Sequence, residues 1–193
     1  MLRLKLPTDP RWANIAEKNI EEILIDHAFC EQKAASTAIS LIITYPELSD
    51  LVQKMSALAI EEMGHFEMVH RIILKRGFTL GRERKDEYVA QISSFFKKTS
   101  DRDERLVHRL LIAALIEARS CERFKVLSEN IQDEELARFY ANLMKSEAMH
   151  YTMFLSLARQ YGEGYNVDEK WDSLLDFEAS VMKDLGTKEY IHG

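Results

Sequence analysis

The sequence predicts an all-α fold, a four-helix bundle with extra short helices, and three observations carry that expectation. Four long segments repeat apolar residues at alternating spacings of three and four, which keeps one stripe of a helix facing a partner. Only three prolines and seven glycines punctuate the 193 residues, too few for a sandwich or barrel that turns every ten residues. No stretch of useful length alternates apolar and polar residues as a half-buried strand would.

The elements follow in chain order. Asp9-Pro10 reads as an N-cap followed by proline at the first helical position, and opens a short helix. The first long seam runs Ile20, Leu24, His27, Glu31, Ala34, Ala38, Leu41, and Pro46 closes it. The second runs Leu48, Leu51, Met55, Leu58, Glu62, His65, Val69, Ile72, with Gly77 where the helix should stop. A helical piece is expected near Asp86–Lys97. The third seam is Leu106, Leu110, Ala113, Glu117, Ser120, Phe124, Leu127, Ile131, capped by Ser100 or Asp101. The fourth is Leu136, Tyr140, Leu143, Glu147, His150, Phe154, Leu157, Tyr161; Asp133 starts it, and Gly162 and Gly164 end it. Residues 168–184 form one more helix, with Trp171, Leu174, Leu175 and Phe177 on its apolar side.

Connection lengths set the topology. The first-to-second and third-to-fourth turns are short, so each pair is an antiparallel hairpin. Between them, residues 77–100 form a link of 24 residues. Extended, it reaches about 80 Å, against about 45 Å for a 30-residue helix, so it can return along a helix before the third begins. Two hairpins joined by one long crossover is the ferritin-like arrangement. Residues 1–193 are therefore expected to form a single ferritin-like domain.

Composition removes other classes. Two cysteines without a CxxC pair leave no disulfide framework, zinc ribbon or thioredoxin motif. The longest uncharged run, Ala34 to Pro46, has 13 residues and is too short to span a bilayer. With no apolar signal segment, the protein is expected to be cytoplasmic and to have no membrane partner. The net charge of −6 argues mildly against nucleic acid, but its distribution is uneven. Arg71, Lys75, Arg76, Arg82, Arg84 and Lys85 face one acid, Glu83, within 15 residues. That segment carries +5 locally, so the rest of the chain must carry −11.

The seams are interrupted in a patterned way. Glu31, Glu62, His65, Glu117, Glu147 and His150 occupy positions that the repeat assigns to the core. A single glutamate on a helix is ordinarily solvated. Four at core positions would each cost several kcal/mol if ionised and unpaired; neutral acids or surface exposure would avoid that cost, and so would two divalent ions, whose charge four carboxylates balance. Glu-x-x-His also occurs at Glu67/His70 and Glu189/His192, so the motif alone is not diagnostic. Glu67/His70 lies off the seam and Glu189/His192 in the C-terminal tail, and neither is assigned to a site.

Register sharpens the pattern. Glu31 and Glu62 are equidistant from the turn at Pro46, and Glu117 and Glu147 from the turn at Gln132. The hairpins are offset copies, by 86 residues from Glu31 to Glu117 and by 85 from Glu62 to Glu147 and from His65 to His150. One Glu from each of two helices plus Glu-x-x-His from the other two is the ligand set of dinuclear carboxylate proteins. Its oxygen-rich shell suits iron or manganese better than zinc or copper. Glu62 and Glu147 are expected to bridge, Glu31 and Glu117 to be terminal, with one histidine per metal.

Neighbouring residues carry weaker readings. His27 is either a hydrogen-bonded core histidine or a donor to Glu31 that could carry protons. Tyr140 and Ser120 are read as core packing, Cys30 and Cys121 as small buried hydrophobes, and Glu122 as a surface charge.

The stretches DHAFCEQKAA (26–35), EEMGHFEMVH (61–70), GRERKDEYV (81–89), LIEARSCERF (115–124) and SEAMHY (146–151) closely resemble the MiaE family. These are tRNA hydroxylases acting on 2-methylthio-N6-isopentenyladenosine beside the anticodon. The resemblance covers nearly the whole chain. It implies a di-iron monooxygenase with two Fe ions, O2 as co-substrate and an unknown electron-transfer partner. Its metal ligands fall on Glu31, Glu62, His65, Glu117, Glu147 and His150. It also implies a tRNA partner, whose prenylated adenosine sits in a single-stranded loop and is cheaper to splay out than a paired base. The basic residues at 71–85, above all Arg82, Arg84 and Lys85, then become candidate phosphate contacts, the alternative being a solubilising loop; Phe66, Phe124 and Phe154 become candidates for an apolar funnel that accepts the prenyl tail, the alternative being core packing. Monomer and dimer both remain open, as does Mn in place of Fe.

Alternatives share the metal site. An iron-storage ferroxidase would form a large shell, and a dimanganese catalase would release oxygen from peroxide. A peroxidase of the rubrerythrin kind would carry a cysteine-ligated iron domain, for which the cysteines are missing. A non-catalytic helical adaptor would keep its acids stable without metal.

Overall fold

The computed structural model describes residues 2–83, 85–185 and 190–192. Among them every regular element is helical: α1 (Trp12–Lys18), α2 (Ile20–Thr44), α3 (Ser49–Lys75), α4 (Glu87–Ser93), α5 (Arg102–Asn130), α6 (Glu134–Tyr161) and α7 (Val167–Leu185). No helix among the described residues is long and apolar enough to cross a membrane. The chain divides into two compact units.

One unit comprises Asn19–Lys85 and Glu189–Ile191, and is built on the α2–α3 hairpin. Its seams are buried as the apolar repeat requires, with Leu24, Ala38, Leu41, Leu51, Met55, Leu58 and Val69 inside. At the far end the stripe drifts by one position, so Ile73 rather than Ile72 is buried, as a 3.6-residue turn dictates over a long helix. Gly77 ends α3 at φ 77°. The Phe78 amide reaches the Ile73 carbonyl (3.0 Å) and the Gly77 amide the Leu74 carbonyl (3.0 Å), a Schellman closure that needs the left-handed residue. The outer side of this hairpin is bare, and Ile43 and Ile60 are 73% and 76% exposed.

The other unit comprises Met1–Lys18, Asp86–Lys188 and His192–Gly193, and is built on the α5–α6 hairpin. Asp101 caps α5 by accepting from the Asp103 and Glu104 amides (2.9 and 3.1 Å). Asp133 caps α6 at the Leu136 amide (3.0 Å), each cap contributing about 1 kcal/mol. Asp86 caps α4 at the Val89 amide (2.9 Å). That helix stops at Ser93, earlier than Lys97, because Phe95 and Phe96 turn away into an aromatic cluster with Phe177 and His108. Helices α1, α4 and α7 pack on α5, so α5 buries residues on its outer side as well as its seam.

Candidate metal centre

The two hairpins present their acids and imidazoles in the same way, and each is described within its own unit. On α2, His27 and Glu31 are one turn apart and both buried. His27 Nε2 donates to Glu31 Oε1 at 2.6 Å. From α3, His65 Nδ1 lies 3.2 Å from Glu62 Oε2 and 3.6 Å from Glu31 Oε2. Glu31, Glu62 and His65 each offer one ligand atom, all within 4.8 Å of one another. This short spacing follows from an i, i+3 pair on α3 facing the α2 seam at equal distance from the turn.

Electrostatics within the cluster favour a cation. Burial alone would raise the Glu31 carboxyl, but bonds from His27 and His65 outweigh it and hold the group well below the usual carboxylate range. Burial works against a charged His65 imidazole, yet Glu31 and Glu62 raise it to about 10. Carboxylates that keep a proton on His65 this firmly would hold a divalent ion in its place, with release of that proton. Two carboxylates and an imidazole in a buried setting fit iron or manganese.

The α5–α6 hairpin repeats the donor set. Glu117, Glu147 and His150 are all buried. His150 Nδ1 lies 3.9 Å from Glu117 Oε2, and Glu147 stands one turn before His150 on the buried side of α6. Thus all six expected ligands lie inside, three in each unit.

Around these groups the structure sorts the weaker expectations. Tyr140 is packed against Phe124 (ring centroids 5.2 Å), as core packing requires. The Cys121 thiol is pushed up to about 11, by burial first and then Glu117, and it donates to the Met144 carbonyl. It is a buried apolar filler rather than a ready nucleophile. Phe124 and Phe154 are sealed in the core, whereas Phe66 is half-buried against His70. His27 is a hydrogen-bonded core histidine, and the group it donates to is a candidate ligand.

Two charged or titratable residues, Glu122 and His192, depart from the sequence reading, and a third, Arg119, is not singled out by it. Glu122 is not a solvated surface charge: it accepts from the Thr8 amide and hydroxyl (2.6 Å each) and from Arg119 Nη1 (2.7 Å). The helix side that the seam left over is covered by the N-terminal segment. Arg119 is fully buried, with Nε 2.8 Å from Glu178 Oε1 and Nη2 3.1 Å from the Leu6 carbonyl. His192, left with the tail by the sequence, is buried too. Its Nε2 lies 3.0 Å from Ser120 Oγ and its Nδ1 3.4 Å from Asp86 Oδ2, with the ring stacked on Tyr88. Glu189, its motif partner, lies outside the described residues.

The basic segment is at the surface of the α2–α3 unit. Arg71, Lys75, Arg82 and Lys85 are exposed and Arg76 is half-buried. Arg71 pairs with Glu67 (2.6 Å). Arg84 lies outside the described residues.

Comparison with known proteins bears on the fold and on the family. A chain described as "Protein 43 with aldehyde deformylating oxygenase activity from Synechococcus" superposes with a TM-score of 0.89 at 33% identity, covering 98% of this chain and 95% of that one. The fold is all-α and ferritin-like. A Pseudomonas putida protein named tRNA 2-(methylsulfanyl)-N(6)-isopentenyladenosine(37) hydroxylase is 44% identical over 160 residues, covering 83% of this chain and 77% of its own length. A Salmonella typhimurium protein of the same name is 29% identical over 212 residues, covering 81% and 75%. The model of the family described as MiaE, tRNA-(MS[2]IO[6]A)-hydroxylase, matches residues 2–193. The chain belongs to the MiaE family.

Proposed function

We propose that this protein hydroxylates the isopentenyl side chain of 2-methylthio-N6-isopentenyladenosine next to the anticodon of tRNA, as a di-iron monooxygenase using O2 and reducing equivalents. The observation that carries the reading is the repetition of one buried donor set, Glu31/Glu62/His65 and Glu117/Glu147/His150, in a chain of this family. Residues 1–193 would then work as one ferritin-like domain in which Glu31, Glu62, His65, Glu117, Glu147 and His150 would hold two iron ions, with Glu62 and Glu147 in the bridging role, Glu31 and Glu117 in the terminal one and one histidine for each ion. Manganese would be accepted by the same donors.

Bound iron supplies the redox chemistry by which one oxygen atom of O2 enters an allylic C–H bond. The chain's own residues do the rest. His27 orients the Glu31 carboxylate by donating to Oε1, leaving Oε2 to face inward. Apolar seam residues such as Leu58, Leu110, Leu143 and Phe154 keep water from the donors. Arg71, Lys75, Arg76, Arg82, Arg84 and Lys85 track tRNA phosphates, which carry affinity rather than sequence preference. A separate electron-transfer partner delivers the reducing equivalents, and the enzyme works in the cytoplasm as a monomer or dimer.

The test is mass spectrometry of tRNA nucleosides from cells with and without the gene, in a strain that makes the prenylated nucleoside. Loss of the hydroxylated form is expected, and an unchanged profile overturns the proposal. Reversing the charge of Arg82 and Lys85 should weaken tRNA binding and flatten its salt dependence.

A further inference from the structure

Hydroxylation with O2 has a proton requirement that the metal ligands do not meet. The balance is R–H + O2 + two electrons + two protons → R–OH + H2O, so two protons must reach a buried place for each turnover. Carboxylates committed to metal cannot shuttle them. A separate line of exchangeable hydrogens is needed, reaching from near the surface to the helix turn that bears a ligand.

The α5–α6 unit contains such a line. Asp86, at the N-cap of α4, is half-buried, its side chain 13% exposed. Its Oδ2 faces His192 Nδ1 at 3.4 Å, and His192 Nε2 faces Ser120 Oγ at 3.0 Å. Ser120 is one turn after Glu117 on the same side of α5, and both are buried. Stacking of the imidazole on Tyr88 (centroids 5.6 Å) fixes the ring so that its two nitrogens point in opposite directions along this line. Burying a histidine in register with a carboxylate and a hydroxyl, when an apolar residue would pack as well against Tyr88, needs a reason beyond stability.

We propose that Asp86, His192 and Ser120 form a proton relay into the turn of α5 that carries Glu117; the proposal rests on the di-iron hydroxylase reading above. One proton enters per pass. A protonated Asp86 carboxyl gives its hydrogen to His192 Nδ1 while Nε2–H gives its own to Ser120 Oγ. The Ser120 O–H bond in turn releases its hydrogen to the oxygen of O2 that leaves as water. The proton count is conserved and no electron moves within the relay. Asp86 is reprotonated from solvent, and between passes the imidazole leaves this line to exchange its ring protons with solvent, which restores the Nε2–H tautomer. Imidazole suits the middle place because it both takes and gives a proton near neutral pH.

The test uses full-length protein carrying His192→Gln, Ser120→Ala or Asp86→Asn. In iron-loaded enzyme, His192→Gln keeps wild-type iron content but loses roughly 10²–10⁴-fold of turnover, the usual span for a lost proton-transfer group. It also has an altered solvent deuterium isotope effect, and imidazole added to His192→Gly restores part of the rate. A His192→Gln enzyme with the wild-type rate and isotope effect overturns the relay. Should that variant not fold, Ser120→Ala carries the same measurement. In metal-free protein, the ¹⁵N resonances of His192 should move in both Ser120→Ala and Asp86→Asn, and resonances that stay put overturn the relay independently of activity. A wild-type enzyme that binds no iron or makes no hydroxylated nucleoside counts instead against the function proposed above, with the ¹⁵N measurement still deciding whether the relay exists.

Discussion

The α2–α3 and α5–α6 hairpins carry the same donor set in the same register, yet they are built to different depths. Helix α5 buries 17 of its 29 residues, whereas α3 buries 7 of 27. The seven on α3 are a single stripe, and the opposite side faces solvent with Ile60 and Met63. On α5 the stripe is joined by Ala114, Ala118, Arg119 and Arg123, which lie under the helices and N-terminal segment of its own unit. The lesson is that a metal-ligand geometry requires only the seam. What the outer side does is free to differ, and here one hairpin invests it in a buried charge network while the other leaves it open.

The largest effects should come from the shared feature and be equal in the two hairpins. Glu62→Ala and Glu147→Ala, which truncate equivalent acids, should each abolish hydroxylated product and lower iron content, measured by elemental analysis of protein purified without chelator. A large loss of iron in one with wild-type content in the other would break the equivalence of the halves.

The next effect belongs to α5 alone. Arg119→Met leaves Glu178 buried without its cation and should cost about 3–5 kcal/mol in urea unfolding. Ile60→Ser on the bare side of α3 should change stability by less than about 0.5 kcal/mol. Similar costs for the two would mean that the outer side of α3 is covered in solution.

How far the sequence revealed this contrast is instructive. Helix seams, the caps Asp101 and Asp133 and the six inward donors were all legible, because each is a local pattern with period 3.6 or a fixed capping geometry. Arg119 and His192 were not. Their partners Glu178 and Ser120 stand 59 and 72 positions away, and no periodicity links residues so far apart. Glu122 misled for a related reason: five residues after Glu117 it points off the seam, and only the covering segment at Thr8 turns that side inward.

Two smaller effects refine the picture of the deeper unit. Asp101→Ala removes the acceptor for two amides of α5 and should cost about 1 kcal/mol. His108 is stacked on Phe96 (4.0 Å), and burial followed by Lys170 holds its imidazole below the ordinary value of 6.5. As pH falls through that value the unfolded chain takes up a proton that the folded one resists, so stability drops on the acid side. His108→Asn should make the slope of unfolding free energy between pH 7 and 5 shallower, while leaving the slope above pH 7 unchanged.

Between α6 and α7 the chain depends on a group that is absent. A Cβ at Gly162 would sit 2.3 Å from Val167 Cγ2 and 2.4 Å from the Ala158 carbonyl oxygen. One methyl there would displace the Val167 side chain at the start of α7 and strain the last turn of α6 as well, because moving α7 alone leaves the Ala158 carbonyl in the way. The path of everything downstream, including the residues that bring Trp171 and Glu178 inside, is thereby held by a single hydrogen atom. A corner defined this way accepts no side chain without a shift on both of its flanks.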